Sequence, residues 1–170
     1  EKMIDAIMRA RKKGDSLGGI VEVVAHGVPA GLGEPVFDRL DADLAKAVMC
    51  IPAVKGVEIG AGFKSATMTG SECNDEFVMK NKTAATATNN AGGILGGISN
   101  GMDIIVKLVV KPTSSINKAQ NTVTQKGKKA QIRVEGRHDP CVAPRAVPIA
   151  EAMVALTLID HFYRTKFSKL

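Results

Sequence analysis

The feature that most constrains this sequence is its long apolar stretch VPIAEAMVALTLIDHFYRTKF at 147–167. The clearly polar residues before Phe162 are Glu151, Thr157, Asp160 and His161. Pro148 suits the first turn of a helix, and Glu151 suits its positive dipole end. A helix that is apolar nearly all round is buried on more than one face. We therefore expect this helix between two sheets, or between a sheet and another subunit.

The remaining periodic segments predict an α+β fold. The predicted elements are a helix at 3–13, a strand at 18–28, a helix at 38–49, strands at 53–60, 103–112 and 128–137, and the final helix. Because strands and helices do not alternate regularly, we expect a mostly antiparallel sheet rather than a doubly wound one. Residues 128–137 are expected to pair with 103–112.

The length of the chain suits one domain, at 1–170. Between residues 61 and 90 the periodic signal fades, and polar residues, small residues and lysine dominate. A loop of about thirty residues is uncommon in a compact domain unless it has a function. The sequence therefore predicts a long active-site loop at 61–90.

Charge and composition indicate the kind of partner. The net charge is +6, which favours an anionic partner, either a nucleic acid or a phosphorylated small molecule. Aromatic residues make up only 4% of the chain, so the stacking surfaces of a single-strand-binding module are missing. No stretch approaches the ~18–20 uncharged apolar residues that span a bilayer. We expect neither a nucleic-acid nor a membrane partner.

The cysteine pattern indicates a reducing compartment. The chain has three cysteines, at 50, 73 and 141, which are too few and too scattered for a disulfide framework. A cytoplasmic location follows from this pattern.

Two motifs have the residue types of a ligand site. GGILGGISNG, at 92–101, lacks the Lys-Ser/Thr of a phosphate-binding P-loop, but its glycines allow close approach of a ligand or a neighbouring strand. Lys111 stands at the predicted end of a strand and is followed by Thr113, Ser114 and Ser115. A cation with hydroxyls and backbone amides suits a phosphate or a carbonyl-rich ring. A plain turn remains the alternative for both motifs.

A third motif, GRHDPC at 136–141, allows several interpretations. His138, Asp139 and Cys141 are metal-ligand types, but no second cluster supplies further ligands, so we expect no metal site. Arg137 and Asp139 could form an ion pair. In an extended segment alternate residues share a face, so Arg137 and Asp139 could also meet one ligand while His138 points away.

Four motifs together resemble those of the chorismate synthases. They are GVPAGLGEPVFDRLDADLAKA, NNAGGILGGISNG, KPTSSI and GRHDPCVAPRAVPIAEAM, in this order, and the similarity extends from KKGDSLGG to DHFYR. Members of this family are about twice as long, so the chain resembles the C-terminal half of one. The resemblance implies half of a β-α-β sandwich, with antiparallel sheet packed on apolar helices, in a homotetramer.

The resemblance also implies a lyase reaction of the shikimate pathway, which leads to the aromatic amino acids. The family removes phosphate from 5-enolpyruvylshikimate 3-phosphate by an anti-1,4-elimination that requires reduced FMN and yields chorismate. The family's catalytic histidines and its substrate-gripping arginines lie in the N-terminal half. The fragment alone is therefore expected to have little or no turnover.

Site residues follow from the resemblance by motif. The flavin-contacting positions are implied at Pro52, Ala53, Gly96, Lys111, Pro112, Thr113, Ser114, Ser115 and Arg137. Some relatives have Asn where this chain has Pro52, so a backbone contact is implied there. Asp139 resembles the carboxylate that lies near N5 of the flavin in the family, where it helps the flavin act as a base.

Overall fold

The computed structural model describes residues 1–80 and 82–168, which form an α+β fold as predicted. The helices are α1 Lys2–Lys12, α2 Leu40–Met49, α3 Gly70–Cys73 and α4 Ala143–Phe167, with a 3-10 turn at Gly62–Thr67. The strands are β1 Gly19–Ala25, β2 Val54–Ile59, β3 Phe77–Lys80, β4 Thr83–Thr86, β5 Ile94–Leu95, β6 Ile98–Ser99, β7 Ile104–Val110, β8 Gln120–Val123 and β9 Lys129–Ile132.

The core is a three-stranded antiparallel sheet in the order β1-β7-β2, so the predicted antiparallel sheet is confirmed. Val21 and Val57 lie opposite Leu108 of the central strand. The inner face of β7 is completely buried and packs with α2 and α4 in one hydrophobic cluster. The alternation of buried and exposed residues along β1 and β7 is that of a sheet with one covered face.

Helix α4 differs from its prediction in where it begins. It begins at Ala143, four residues before the predicted start, and this places Pro148 inside the helix. Its buried residues Ala146, Ala150 and Val154 pack in the core with β1 and α2, but Leu156 is 62% exposed. Within the described residues, α4 is buried on the side that contacts β1 and α2, and its burial against a second sheet or another subunit stays a prediction.

By length and composition alone, α4 could cross a membrane. The expectation of no membrane partner therefore stays a prediction. Glu151 and Asp160 interrupt the uncharged run, but both lie on the exposed side and leave a window with few charges. Core helices can have the same length and composition, and α4 packs against β1 and α2 here.

The predicted pairing of 128–137 with 103–112 is wrong. Strand β9 pairs with β8 in a separate antiparallel hairpin. Both edges of β7 are already occupied, by β1 and β2, so no edge is free for β9. The hairpin closes through a tight turn in which Gly127 N donates to Thr124 O at 2.9 Å.

The region at 61–90 is not the continuous loop that the sequence predicts. It holds the 3-10 turn, the capped helix α3 and the β3–β4 hairpin, while Asn81 lies outside the described residues. Polar and small residues obscured these short elements, because a four-residue strand gives little periodic signal. Its role at an active site stays a prediction.

Asp75 is buried and links the end of α3 to residues 88–91. One of its carboxylate oxygens accepts hydrogen bonds from Thr88 Oγ1 at 2.6 Å and from Asn90 N at 2.8 Å. The other oxygen accepts from Ala91 N at 2.8 Å. Burial raises the pKa of Asp75, but these three hydrogen bonds outweigh that effect and hold its pKa below the ordinary value.

We expect the stability of the chain to depend on pH through Asp75. Because the pKa of Asp75 is lower in the folded state than in the unfolded state, its charged form stabilises the fold. This contribution is fully present above the ordinary aspartate pKa of about 3.9 and is lost as the pH falls through the folded-state pKa. Asp75→Asn should cost about 1–3 kcal/mol at neutral pH, because an amide NH2 would then face a hydrogen-bond donor. Urea unfolding between pH 3 and pH 7 should show a shallower pH dependence for this variant.

Glu76→Gln is the matched control for this prediction. Glu76 is the neighbouring carboxylate, and it is exposed. Its variant should keep the stability and pH profile of the wild type. An Asp75→Asn profile that coincides with the wild type would contradict the assignment of Asp75 as the acid-sensitive group.

Candidate functional site

The predicted site segments meet at the end of the central strand. Lys111 follows β7, and its N–H donates to Ala53 O at 2.8 Å. Ala53 has a φ of 71°, in the left-handed region that residues with a Cβ rarely adopt. Exposed Pro52 precedes it in the turn between α2 and β2. The structure thus brings together the Pro52–Ala53 segment and the Lys111 segment.

The segment after Lys111 is held by contacts to residues far away in sequence. Exposed Pro112 lies against Gly18, and Ser16 Oγ donates to Thr113 O at 2.6 Å. The hydroxyl of Thr113 is buried and has no hydrogen-bond partner among the described residues. Ser114 O accepts from Gln120 Nε2 at 3.1 Å. The backbone of this segment is therefore fixed, while the hydroxyl of Thr113 keeps its capacity to bond.

A cavity of about 230 Å³ joins the other predicted residues. Its lining includes Ser115, Arg137 and Asp139, together with Arg11 and His138. The structure therefore brings Ser115, Arg137 and Asp139 to one concave surface. The two arginines can donate hydrogen bonds to an anionic group, while Asp15 and Asp139 place carboxylates on the same surface.

One detail of the GRHDPC motif differs from the prediction. His138 lines the same cavity as Arg137 and Asp139 and does not point to the opposite side. The rule of alternate faces fails here because residues 136–139 form a bend, in which Gly136 has a φ of 144°, and not a strand.

The alternative of an ion pair between Arg137 and Asp139 is not found among the described residues. Asp139 Oδ2 lies 3.1 Å from Arg145 Nη1. Because α4 begins four residues early, Arg145 lies in its first turn, beside Asp139. Arg137 is exposed and is left facing the cavity.

Gly96 lies apart from the other predicted residues. It is in the turn between β5 and β6, where Gly97 O accepts from Leu40 N at the start of α2. Leu40 is the first residue of α2, and the chain after the other end of α2 leads to Ala53, which accepts from Lys111 N. Gly92, just before β5, accepts from Ile105 N near the start of β7, whereas Lys111 follows its last residue. A seven-residue strand is about 20 Å long. Within the described chain, Gly96 and Lys111 are thus at opposite ends of the sheet.

The arrangement of side chains in the described residues does not indicate a metal site. In residues 1–80 and 82–168, no group of three or more His, Cys, Asp or Glu residues lies close enough together to hold an ion. His161 is buried beside Asp43, with 3.0 Å between Nε2 and Oδ2, and links α4 to α2.

Sequence reasoning missed the contribution of residues 14–18, GDSLG. These residues contact both the 111–118 segment and the 140–141 segment. A Gly-Asp-Ser turn between a helix and a strand was the available signal, because such turn residues often order the backbone around them.

Comparison with known proteins gives a consistent result. The family model described as chorismate synthase matches residues 1–163. The chorismate synthase of Methanosarcina barkeri is 60% identical over 168 residues, which are 98% of this chain and 46% of the relative. The chorismate synthase of Archaeoglobus fulgidus is 66% identical over 149 residues, 87% of this chain and 41% of the relative.

A solved structure shares the fold. A crystal structure of chorismate synthase superposes with a TM-score of 0.78 at 35% sequence identity, covering 96% of this chain and 42% of that one. The chain spans less than half the length of the curated relatives described above.

Proposed function

This chain belongs to the chorismate synthase family, and from that premise we propose that the protein that contains it catalyses the chorismate synthase reaction. The substrate is 5-enolpyruvylshikimate 3-phosphate. A proton and the phosphate leave in an anti-1,4-elimination, and a second ring double bond forms. No net oxidation occurs, and the enzyme is a lyase of the shikimate pathway.

Reduced FMN fits the residues at the end of the central strand. The buried hydroxyl of Thr113 has no partner among the described residues, and Lys111 and Arg137 are cations with exposed side chains. When bound, reduced FMN supplies electron density to the substrate ring as phosphate leaves. Thr113 and Ser115 would donate hydrogen bonds, while Lys111 and Arg137 would stabilise its negative charge.

Asp139 is the residue that we assign to proton handling. Its carboxylate lines the cavity beside Arg137 and pairs with Arg145, which fixes its orientation at the start of α4. A carboxylate held in this way can accept or relay a proton. The bend at 136–139 lets the carboxylate and the Arg137 guanidinium meet one ligand.

The wider setting is part of the same proposal. The net charge of +6 supports an anionic substrate and cofactor. We propose a cytoplasmic homotetramer for the full-length protein. A nucleic-acid-binding module is the alternative of another class, but its stacking aromatic residues are lacking, since the chain has no Trp and one Tyr.

The observation that carries this proposal is the shared cavity of Ser115, Arg137 and Asp139. The test is a turnover assay of the full-length protein under anaerobic conditions, with 5-enolpyruvylshikimate 3-phosphate and photoreduced FMN. We expect chorismate to form, and oxidised FMN to give none. Absence of chorismate with a folded, flavin-loaded protein would overturn the proposal.

We expect Arg137→Gln to weaken binding of reduced FMN about tenfold, because a charge-assisted contact in a partly enclosed site is lost. Arg133→Gln removes a charge of the same sign from the exposed residue that follows β9 and is the matched control. Fluorescence titration of both variants measures the difference. An equal loss for the two variants would mean that net charge, and not the position of Arg137, governs binding.

A further inference from the structure

The segments proposed to bind the flavin do not bond to each other directly. Among the hydrogen bonds of residues 1–80 and 82–168, none joins 111–115 to 137–141. Both segments are irregular, lying outside the helices and strands. Some other part of the chain must therefore hold their relative positions.

Residues 14–18 make that connection on the side of 111–118. A Cβ on Gly14 would lie 3.1 Å from Asn117 O, and the carboxylate of Asp15 pairs with Lys118. Ser16 Oγ donates to Thr113 O at 2.6 Å, across 97 residues of sequence. Three consecutive residues thus contact three points of one segment.

The next two residues contact the GRHDPC motif. Leu17 N donates to Pro140 O at 2.8 Å, and Leu17 forms an isolated parallel bridge with Cys141. Gly18 lies so close to Val110 that a Cβ there would be 2.6 Å from its carbonyl oxygen. Residues 14–18 are thus packed between the two segments.

The internal bonding of the turn fixes Ser16 itself. Asp15 Oδ1 accepts from Ser16 N at 2.9 Å, so the side chain of Asp15 orders the backbone that carries the Ser16 hydroxyl. The lysine partner and this hydrogen bond hold the pKa of Asp15 below its ordinary value, with the Lys118 contact the larger cause. Asp15 is therefore charged at neutral pH.

We propose that Ser16 is a positioning residue of the cofactor site, which holds Thr113 and its neighbours in register with Arg137 and Asp139. Ser16 acts through the carbonyl of Thr113 and so fixes the backbone that carries the buried Thr113 hydroxyl. Pre-organised donors bind more tightly than donors that must be ordered on binding. The part of this proposal that concerns flavin rests on the proposed function.

The first test needs no flavin. In the flavin-free full-length protein, Ser16→Ala should raise amide hydrogen exchange of residues 112–118 about tenfold, because one tether of the segment is lost. Exchange in β7 should stay within about twofold of the wild type. Unchanged exchange at 112–118 would overturn the positioning role, whatever the protein catalyses.

The second test measures the consequence for the cofactor. Ser16→Ala should raise the dissociation constant of FMN about tenfold and lower kcat/KM by a similar factor, and Ser16→Thr, which keeps the hydroxyl, should restore both. Thr157→Ala is the control, since its hydroxyl donates to Met153 O within α4. The control should match the wild type.

The outcomes distinguish a failure of the proposed function from a failure of the proposed role of Ser16. Wild-type protein that shows no flavin-dependent turnover overturns the proposed function, and the exchange data then stand alone. If the wild type is active and the flavin affinity of Ser16→Ala lies within twofold of the wild-type value, the inference is overturned. Equal losses in the Ala and Thr variants also overturn it, because the effect would then come from packing and not from the hydroxyl.

Discussion

Replacement of Asp139 by asparagine in the full-length enzyme is expected to lower kcat by about 100-fold or more, the usual contribution of a group that transfers a proton. The side chain keeps its size and its place beside Arg145, 3.1 Å from that guanidinium. Because the amide cannot accept the proton, the loss should fall on turnover. The dissociation constant of FMN should change much less. Stopped-flow turnover and fluorescence titration on one preparation measure both quantities.

Arg145→Gln distinguishes proton transfer from a structural role of the same carboxylate. This variant removes the ion pair with Asp139 and leaves the carboxylate in the cavity. The pair is partly exposed, so its loss should have a small effect on stability. We expect turnover to remain well above that of Asp139→Asn. Equal turnover in both variants, or wild-type turnover in Asp139→Asn, would remove Asp139 from the proton-transfer step.

Leu108→Ala is expected to destabilise the chain by about 3 kcal/mol, within the range of about 2–5 kcal/mol measured for such core truncations. Leu108 is completely buried in the central strand, between β1 and β2 and beneath the helices. Strands on both sides restrict relaxation around the cavity that the variant creates. Chemical denaturation of the 170-residue chain, with the slope compared between variants, gives the free energy of unfolding.

Val109→Ala is the matched control on the same strand. Val109 is the next residue, points to the opposite face of the sheet and is 43% exposed. Its truncation should cost no more than about 1 kcal/mol, chiefly through lower strand propensity. A loss as large as that of Leu108→Ala would show that the outer face of the sheet is buried in solution.

The local sequence pattern predicted the helices and strands whose apolar residues recur with a clear period. Apolar spacing and terminating glycine gave α1 within one residue at each end, and the β-branched runs at 18–28 and 103–112 contain β1 and β7. These segments fold as predicted because one buried face decides their structure, and that face is visible in the order of residues. The motif resemblance named the family to which the chain belongs.

The short elements and the partners within the site could not be predicted in this way. Strand β9 has a strand-like sequence and was predicted to pair with β7, yet it pairs with β8. Both edges of β7 are occupied by β1 and β2, which are far away in sequence. Asp139 contacts Arg145 because α4 starts early, and periodicity does not define a helix end to within a few residues. The cavity formed by Ser115 and Arg137 is likewise a result of packing.

The sequence by itself thus determined the family, the α+β fold and the main helices and strands, since these depend on residue type and on spacing along the chain. The tertiary structure decided which strands pair and which charges meet. It also placed Gly96 at the opposite end of the sheet from Lys111 and set residues 14–18 between the two site segments. These features depend on distances between residues that are up to 123 positions apart, which no local pattern of side chains encodes.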